Sequence, residues 1–200
     1  MIARWICAGL MAAFLATFLI AGSAYDTRAG ESKTAIFAGG CFWCVEDAFD
    51  HVDGVTETVS GYAGGETPKP TYGSHKGHVE ALKVTYDPSK VTYAQLLDHY
   101  WHNIDPFNSA GQFCDEGPAY RTAVFTSNEE ERTLAEKTKQ DIAARFNKTV
   151  VTDVRPTTSF YAAEDYHQDY HNKNPVSYKY YKWNCGRAQR LSEIWGDKSS

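Results

Sequence analysis

Two cysteines three residues apart follow a glycine pair in Gly39-Gly40-Cys41-Phe42-Trp43-Cys44-Val45-Glu46. The strand-like run Lys33 to Ala38 ends in those glycines, and Phe42, Val45, Phe49 and Val52 then recur at helical spacing. Cys41 is therefore expected in the first turn of a helix. Free backbone N–H groups and the positive end of the helix dipole favour an anion there, so Cys41 is expected to ionise more easily than a free thiol. The glycines let another molecule come close, and Phe42 and Trp43 offer apolar, polarisable walls suited to a soft group such as a methyl thioether. Three chemistries fit this pattern: a thiolate nucleophile at Cys41, a thiol-disulfide exchange pair Cys41-x-x-Cys44, and a metal site formed with His167 and His171. The metal set would join pairs more than 120 residues apart, unlike a compact zinc finger, and no metal is expected.

The elements that must position these residues alternate. Val55 to Tyr62 and Glu80 to Tyr86 read as strands, the second with Leu82, Val84 and Tyr86 on one face, and Glu66 to Gly77 between them reads as a loop. Thr92 with Gln95 makes a capping box for a helix carrying Leu96, Leu97, Tyr100, Trp101 and Ile104. Asp105 to Ala119 is loop-like and Tyr120 to Thr126 strand-like. Ser127 with Glu130 caps a polar helix to about Phe146, and Thr149 to Val154 is another strand. After Pro175 the chain reads as loop until a short helix with Leu191, Ile194 and Trp195. This order predicts an α+β two-layer sandwich in which helices cover a mixed central sheet.

Composition narrows the function classes. The 200 residues are 42% hydrophobic and 22% charged, a globular mix, and the net charge of −5 advertises no nucleic-acid partner. One positive charge at Arg4, the apolar run Trp5 to Ala21 and the small residues Gly22-Ser23-Ala24 read as an export signal over residues 1–24, cleaved or kept as an anchor. Residues 25–32 then form a linker and 33–200 one domain, with a loop-rich tail from about 176. An exported, periplasmic or otherwise extracytoplasmic protein is expected, with no membrane contact beyond such an anchor, working as a monomer.

Seven strings stand in register with one family: Gly40-Cys41-Phe42-Trp43, Gly61-Tyr62-Ala63-Gly64-Gly65, Pro70-Thr71-Tyr72, Gly77-His78-Val79-Glu80, Asp105-Pro106, Gln112 to Arg121 and Phe160 to Gln168. On these the chain, from Thr34 to about Trp195, resembles the type A peptide methionine sulfoxide reductases. The resemblance implies their ferredoxin-like sandwich and thiol-dependent reduction of the S epimer of methionine sulfoxide, free or in proteins. It places the nucleophile on Cys41, the proton donor on Glu80, two assisting phenols on Tyr72 and Tyr120, a supporting carboxylate on Asp115, and the walls around the S-methyl group on Phe42 and Trp43. Attack on the sulfoxide sulfur would leave a sulfenic acid on Cys41. Glu80, pressed against aromatic rings, is expected to stay protonated near neutral pH. Three cysteines are candidates to resolve the sulfenic acid: Cys185 in the tail, Cys44 and Cys114. No bound cofactor is implied; a thioredoxin-like protein or a small dithiol would supply electrons. Read without the family, Glu80 is one polar strand residue, the two phenols are among thirteen tyrosines, and Asp115 is a turn acid.

Overall fold

The computed structural model describes residues 31–196, so the predicted signal and nearly all of the linker lie outside the described residues. The described residues form eight strands: β1 (Lys33–Gly39), β2 (Val55–Ala63), β3 (Val79–Tyr86), β4 (Gly111–Gln112), β5 (Asp115–Glu116), β6 (Thr122–Thr126), β7 (Asp153–Pro156) and β8 (Phe160–Ala162). The helices are α1 (Phe42–Asp50), α2 (Tyr93–His102), α3 (Glu129–Phe146), α4 (Tyr170–Lys173), α5 (Pro175–Asn184) and α6 (Arg187–Trp195). Six strands form one sheet in the order β7-β6-β1-β3-β2-β8, and β4 pairs with β5 separately. All neighbours in the large sheet are antiparallel except β6 and β7, which α3 joins as a parallel pair. The sheet is mixed and helix-covered, as the alternation of the sequence predicts.

Strand periodicity sorts the core. Ala35 and Phe37 of β1 join Leu82, Val84, Tyr86 and Val124 under Leu96, Leu97 and Tyr100 of α2 and Ala135 of α3. Ile36 and Ala38 face the other way, toward Ala81, Ala123 and Phe125. The pairing Phe37 to Leu82 and Tyr62 to Glu80 sets the register, so Glu80 shares the helix-facing side of β3 with Leu82 and sits at its open end. A polar residue thus occupies a core-facing position below the tip of α1.

Several boundaries differ from the sequence reading. The tail after Pro175 is helical: Pro175 occupies the first turn of α5, where its missing N–H costs nothing, and Tyr178 is buried on the inner face. A buried face made of tyrosines carries little apolar periodicity, which hid the helix. The α3 cap lies one residue on, at Asn128, whose side chain accepts from the Glu131 N–H. The last predicted strand begins only at Asp153, and Tyr120 ends a 3-10 turn (Pro118–Tyr120) instead of opening β6. The β4–β5 hairpin and β8 sit in segments too short for a periodic signal.

The turn before α1 depends on Gly40, which has φ +83° and would place a Cβ 2.4 Å from Gln112 Cβ. Gln112 cannot retreat, because its side-chain amide bonds both the N–H and the carbonyl of Asp105. Gly40→Ala is expected to cost about 2 kcal/mol or more, as strain and overlap combine, measured by urea unfolding.

Candidate active site

The peptide ahead of α1 delivers Cys41 as the N-cap: its carbonyl accepts from the N–H groups of Cys44 (3.1 Å) and Val45 (3.3 Å), while its side chain makes no capping bond. Beneath it, Oε2 of Glu80 accepts from the Phe42 N–H at 2.9 Å. Glu80 is 2% exposed. Burial pushes its carboxyl up to about 8, the Phe42 hydrogen bond opposing and the charges of Asp115 and Cys44 adding. At neutral pH it holds a proton, as the sequence reading expects.

The remaining expected residues converge on the same spot. Burial above all, followed by the nearby Glu80 charge, holds the Tyr72 and Tyr120 phenols above their ordinary range. Tyr72, 42% exposed, is anchored by its backbone N–H to Glu164 Oε1 (3.0 Å) and rests its ring 4.6 Å from that of His167. Trp43 donates its indole N–H to His167 Nδ1 at 3.2 Å and stacks on Tyr170 at 3.7 Å. Phe42 is buried against Tyr62 and Ala163. His167 is thus a partner of the tryptophan, and His171 lies beside Asp50 (3.3 Å), so the two histidines do not combine with Cys41 and Cys44. Among the described residues, a group of metal-ligating type occurs at Cys114, Asp115 and Cys185, whose two sulfurs are bonded to each other.

Three features were not foreseen. Helix α5 packs directly on the cysteines: Tyr178 and Tyr181 close over Cys41, which is only 5% exposed. Tyr181 donates its hydroxyl to Asp115 while its ring packs against the cysteine cluster. The second is the bond between Cys114 and Cys185, which joins the C-cap of α5 to the residue before β5, while Cys41 and Cys44 stay free and buried. Two of the three resolving candidates are therefore paired with each other.

The third corrects the expectation that Cys41 ionises easily. Burial above all drives the Cys41 thiol well above its usual range, and hydrogen bonding to Cys44 and the charges of Cys44 and Glu80 add to this; Tyr181 opposes. Cys44 is instead lowered to about 6, chiefly by the hydrogen bond from Cys41, with Arg187, Tyr178 and Lys182 assisting against burial. The helix tip serves both sulfurs, but cations face only the second. The tyrosine pair at i, i+3 after Pro175 was the sequence signal that could have announced the cover.

Comparison with known proteins agrees with this geometry. Residues 33–199 match the family described as peptide methionine sulfoxide reductase. The chain belongs to that family. It is 46% identical over 174 residues to the peptide methionine sulfoxide reductase MsrA 2 of Rhizobium meliloti, spanning 86% of this chain and 88% of the relative. It is 43% identical over 193 residues to MsrA 2 of Caulobacter vibrioides, spanning 94% and 98%. Among solved structures, reduced Mxr1 from Saccharomyces cerevisiae is similar with a TM-score of 0.68 and 30% identity, covering 72% of this chain and 87% of that one.

In this peptide methionine sulfoxide reductase family member the buried Glu80 has a thermodynamic signature. Its folded-state pKa lies near 8 against 4.5 for the ordinary group. The native state thus keeps a proton that the unfolded chain has released. The resulting stability is fully present below the unfolded value and is lost as pH rises through the folded one. Glu80→Gln cannot titrate, so the fall in melting temperature between about pH 5 and about pH 8.5 should be smaller in the variant than in the parent. Equal falls in calorimetry would contradict a neutral, buried Glu80.

Proposed function

We propose that this chain reduces the S epimer of methionine sulfoxide, free or within proteins, to methionine, repairing oxidised proteins. The observation that carries the reading is a cysteine at a helix tip directly above a protonated, buried carboxyl, with two phenols close enough to feel that carboxyl's charge. Sulfoxide oxygen is a poor leaving group until it is protonated, and Glu80 is placed to supply that proton while Tyr72 and Tyr120 hydrogen-bond to the oxygen. Cys41 attacks the sulfoxide sulfur, methionine departs, and Cys41 carries a sulfenic acid. Phe42 and Trp43 would wall the S-methyl group, and Asp115 would hold Tyr181 in place.

Cys44 is the resolving thiol this reading favours, being three residues along α1 from Cys41 and free and buried in the same cluster. Its attack expels water and gives a Cys41–Cys44 disulfide. Reduced Cys114 and Cys185 can then take over the oxidation by exchange, leaving the disulfide seen here near the surface, where a thioredoxin-like protein can reach it. Entry of substrate requires α5 to lift Tyr178 and Tyr181 away, a motion that opening the Cys114–Cys185 bond would free. Export remains the expectation from residues 1–24, and fractionation with N-terminal sequencing of the secreted form tests it. A monomer is expected, and sedimentation tests that.

The deciding assay supplies each epimer of a blocked methionine sulfoxide with dithiothreitol. Turnover of the S epimer, abolished in Cys41→Ser, is the expected result. Insulin reduction without sulfoxide turnover would instead favour a disulfide exchange enzyme built on Cys41 and Cys44. With all four cysteines of the domain reduced and no reductant added, about two methionines per chain should be released, and about one from Cys185→Ser. That variant should still cycle with dithiothreitol yet fail with thioredoxin; normal thioredoxin-driven cycling would remove Cys114 and Cys185 from the path.

A further inference from the structure

Arg187 is 4% exposed, yet no carboxylate among the described residues lies within ion-pair distance of it. One guanidinium nitrogen donates to the Asn103 carbonyl at 2.7 Å, and the group lies 4.3 Å from the Phe113 ring. A buried cation without an anion is costly. A cavity of about 350 Å³ beside α1 is lined by both Arg187 and Cys44. Asp115 feels the Arg187 charge without forming an ion pair with it, and the sulfur of Cys44 is the group in this cavity able to carry the further negative charge.

The other charges around Cys44 cancel or are absent. On its own helix Asp47 receives Lys182 at 2.6 Å and the Tyr178 hydroxyl at 2.7 Å, and His51 lies 3.6 Å from the same carboxylate. Glu80 on β3 is protonated at neutral pH. His99 on α2 is pushed toward its neutral form by burial, and Tyr178 and Tyr181 on α5 are neutral phenols. Lys182 also lies on α5, the helix that must move, whereas α6 carries Arg187 with Leu191, Ile194 and Trp195 buried in the main core. Arg187 is the cation that stays.

We propose that Cys44 acts before it resolves anything: as a thiolate held by the positioning residue Arg187, it is the base that takes the proton of Cys41 when Cys41 attacks the sulfoxide. This rests on the sulfoxide reductase reading above. In the first step the Cys41 proton passes to Cys44, the Cys41 sulfur bonds to the sulfoxide sulfur, and Glu80 protonates the oxygen; the substrate S–O bond then breaks as the hydroxyl passes to the Cys41 sulfur, and the transient S–S bond breaks with its electron pair left on methionine. The product set is methionine, a Cys41 sulfenic acid, a Cys44 thiol and a Glu80 carboxylate, so two protons and one negative charge are conserved. The substrate sulfur gains the two electrons that the Cys41 sulfur loses. Cys44 then returns as the nucleophile, its thiol hydrogen leaving with the sulfenic hydroxyl as water. One residue serves as base in the first step and as resolving thiol in the second.

Timing the first methionine separates these roles, because that product forms before any disulfide. The reduced, reductant-free full chain is mixed with excess blocked S-sulfoxide and quenched at intervals from about pH 5.5 to about pH 8. Cys44→Ala should release the first equivalent about tenfold or more slowly at pH 7, with recovery on adding imidazole, a base small enough for the cavity. Arg187→Met should move the acid limb of the wild-type profile upward by about one pH unit, and Arg187→Lys should restore it. Lys182→Met should give a smaller shift in the same direction, a check that holds if Arg187→Met fails to fold. First-equivalent release by Cys44→Ala as fast as wild type would overturn the base role. An unmoved acid limb in both charge variants would overturn the assignment of Arg187. If the wild-type chain itself releases no methionine, the reductase reading fails instead.

Discussion

One hydrogen bond, from the Phe42 N–H to Glu80, fixes where everything else at this site must lie. It ties the tip of α1 to the open end of β3, and it places a carboxyl where Leu82 and its neighbours would call for another apolar group. The carboxyl tolerates burial by keeping its proton, so it needs no cation. Gly40 and Gln112 set the turn above it, and Tyr62 stands across from it on β2. A polar group left neutral and facing a helix tip is a ready proton source beside a nucleophile.

Around this point the four cysteines of the described residues are divided by depth. Cys41 and Cys44 share the buried end of α1, walled by Trp43, Tyr178 and Tyr181. Cys114 and Cys185 join the rim hairpin to the end of α5. The cover and the outer cysteine pair are therefore parts of one device, with Tyr181 and Asp115 bridging its two halves. The aromatic richness of the chain is spent here: Trp43 stacks on Tyr170 and meets Tyr181 edge-on.

Much of this was legible in the residues. Alternation in β1 and β3, the Thr92 capping box and the glycine pair before Cys41 encode their local structure directly, because each depends on neighbours within a few positions. The family strings carried Glu80, Tyr72, Tyr120 and Asp115 to one place. What escaped was long-range. The α5 cover hides its inner face behind tyrosine hydroxyls that find Asp47 and Asp115 only in the folded chain. The lowered pKa of Cys44 follows first from its neighbour Cys41 and then from Arg187, 143 positions away in sequence and brought near only by α6. Helix-dipole reasoning treats both cysteines alike and cannot rank them without that cation.

The Cys114–Cys185 crosslink closes a loop with a sequence separation of 71, which contains α3 and three strands of the large sheet. By chain-entropy reasoning such a closure is worth about 4 kcal/mol against unfolding. The protein is consequently toughest when its electrons are exhausted and loosest when it is charged for work. Starved of reductant, it waits crosslinked, and resupply trades that durability for access.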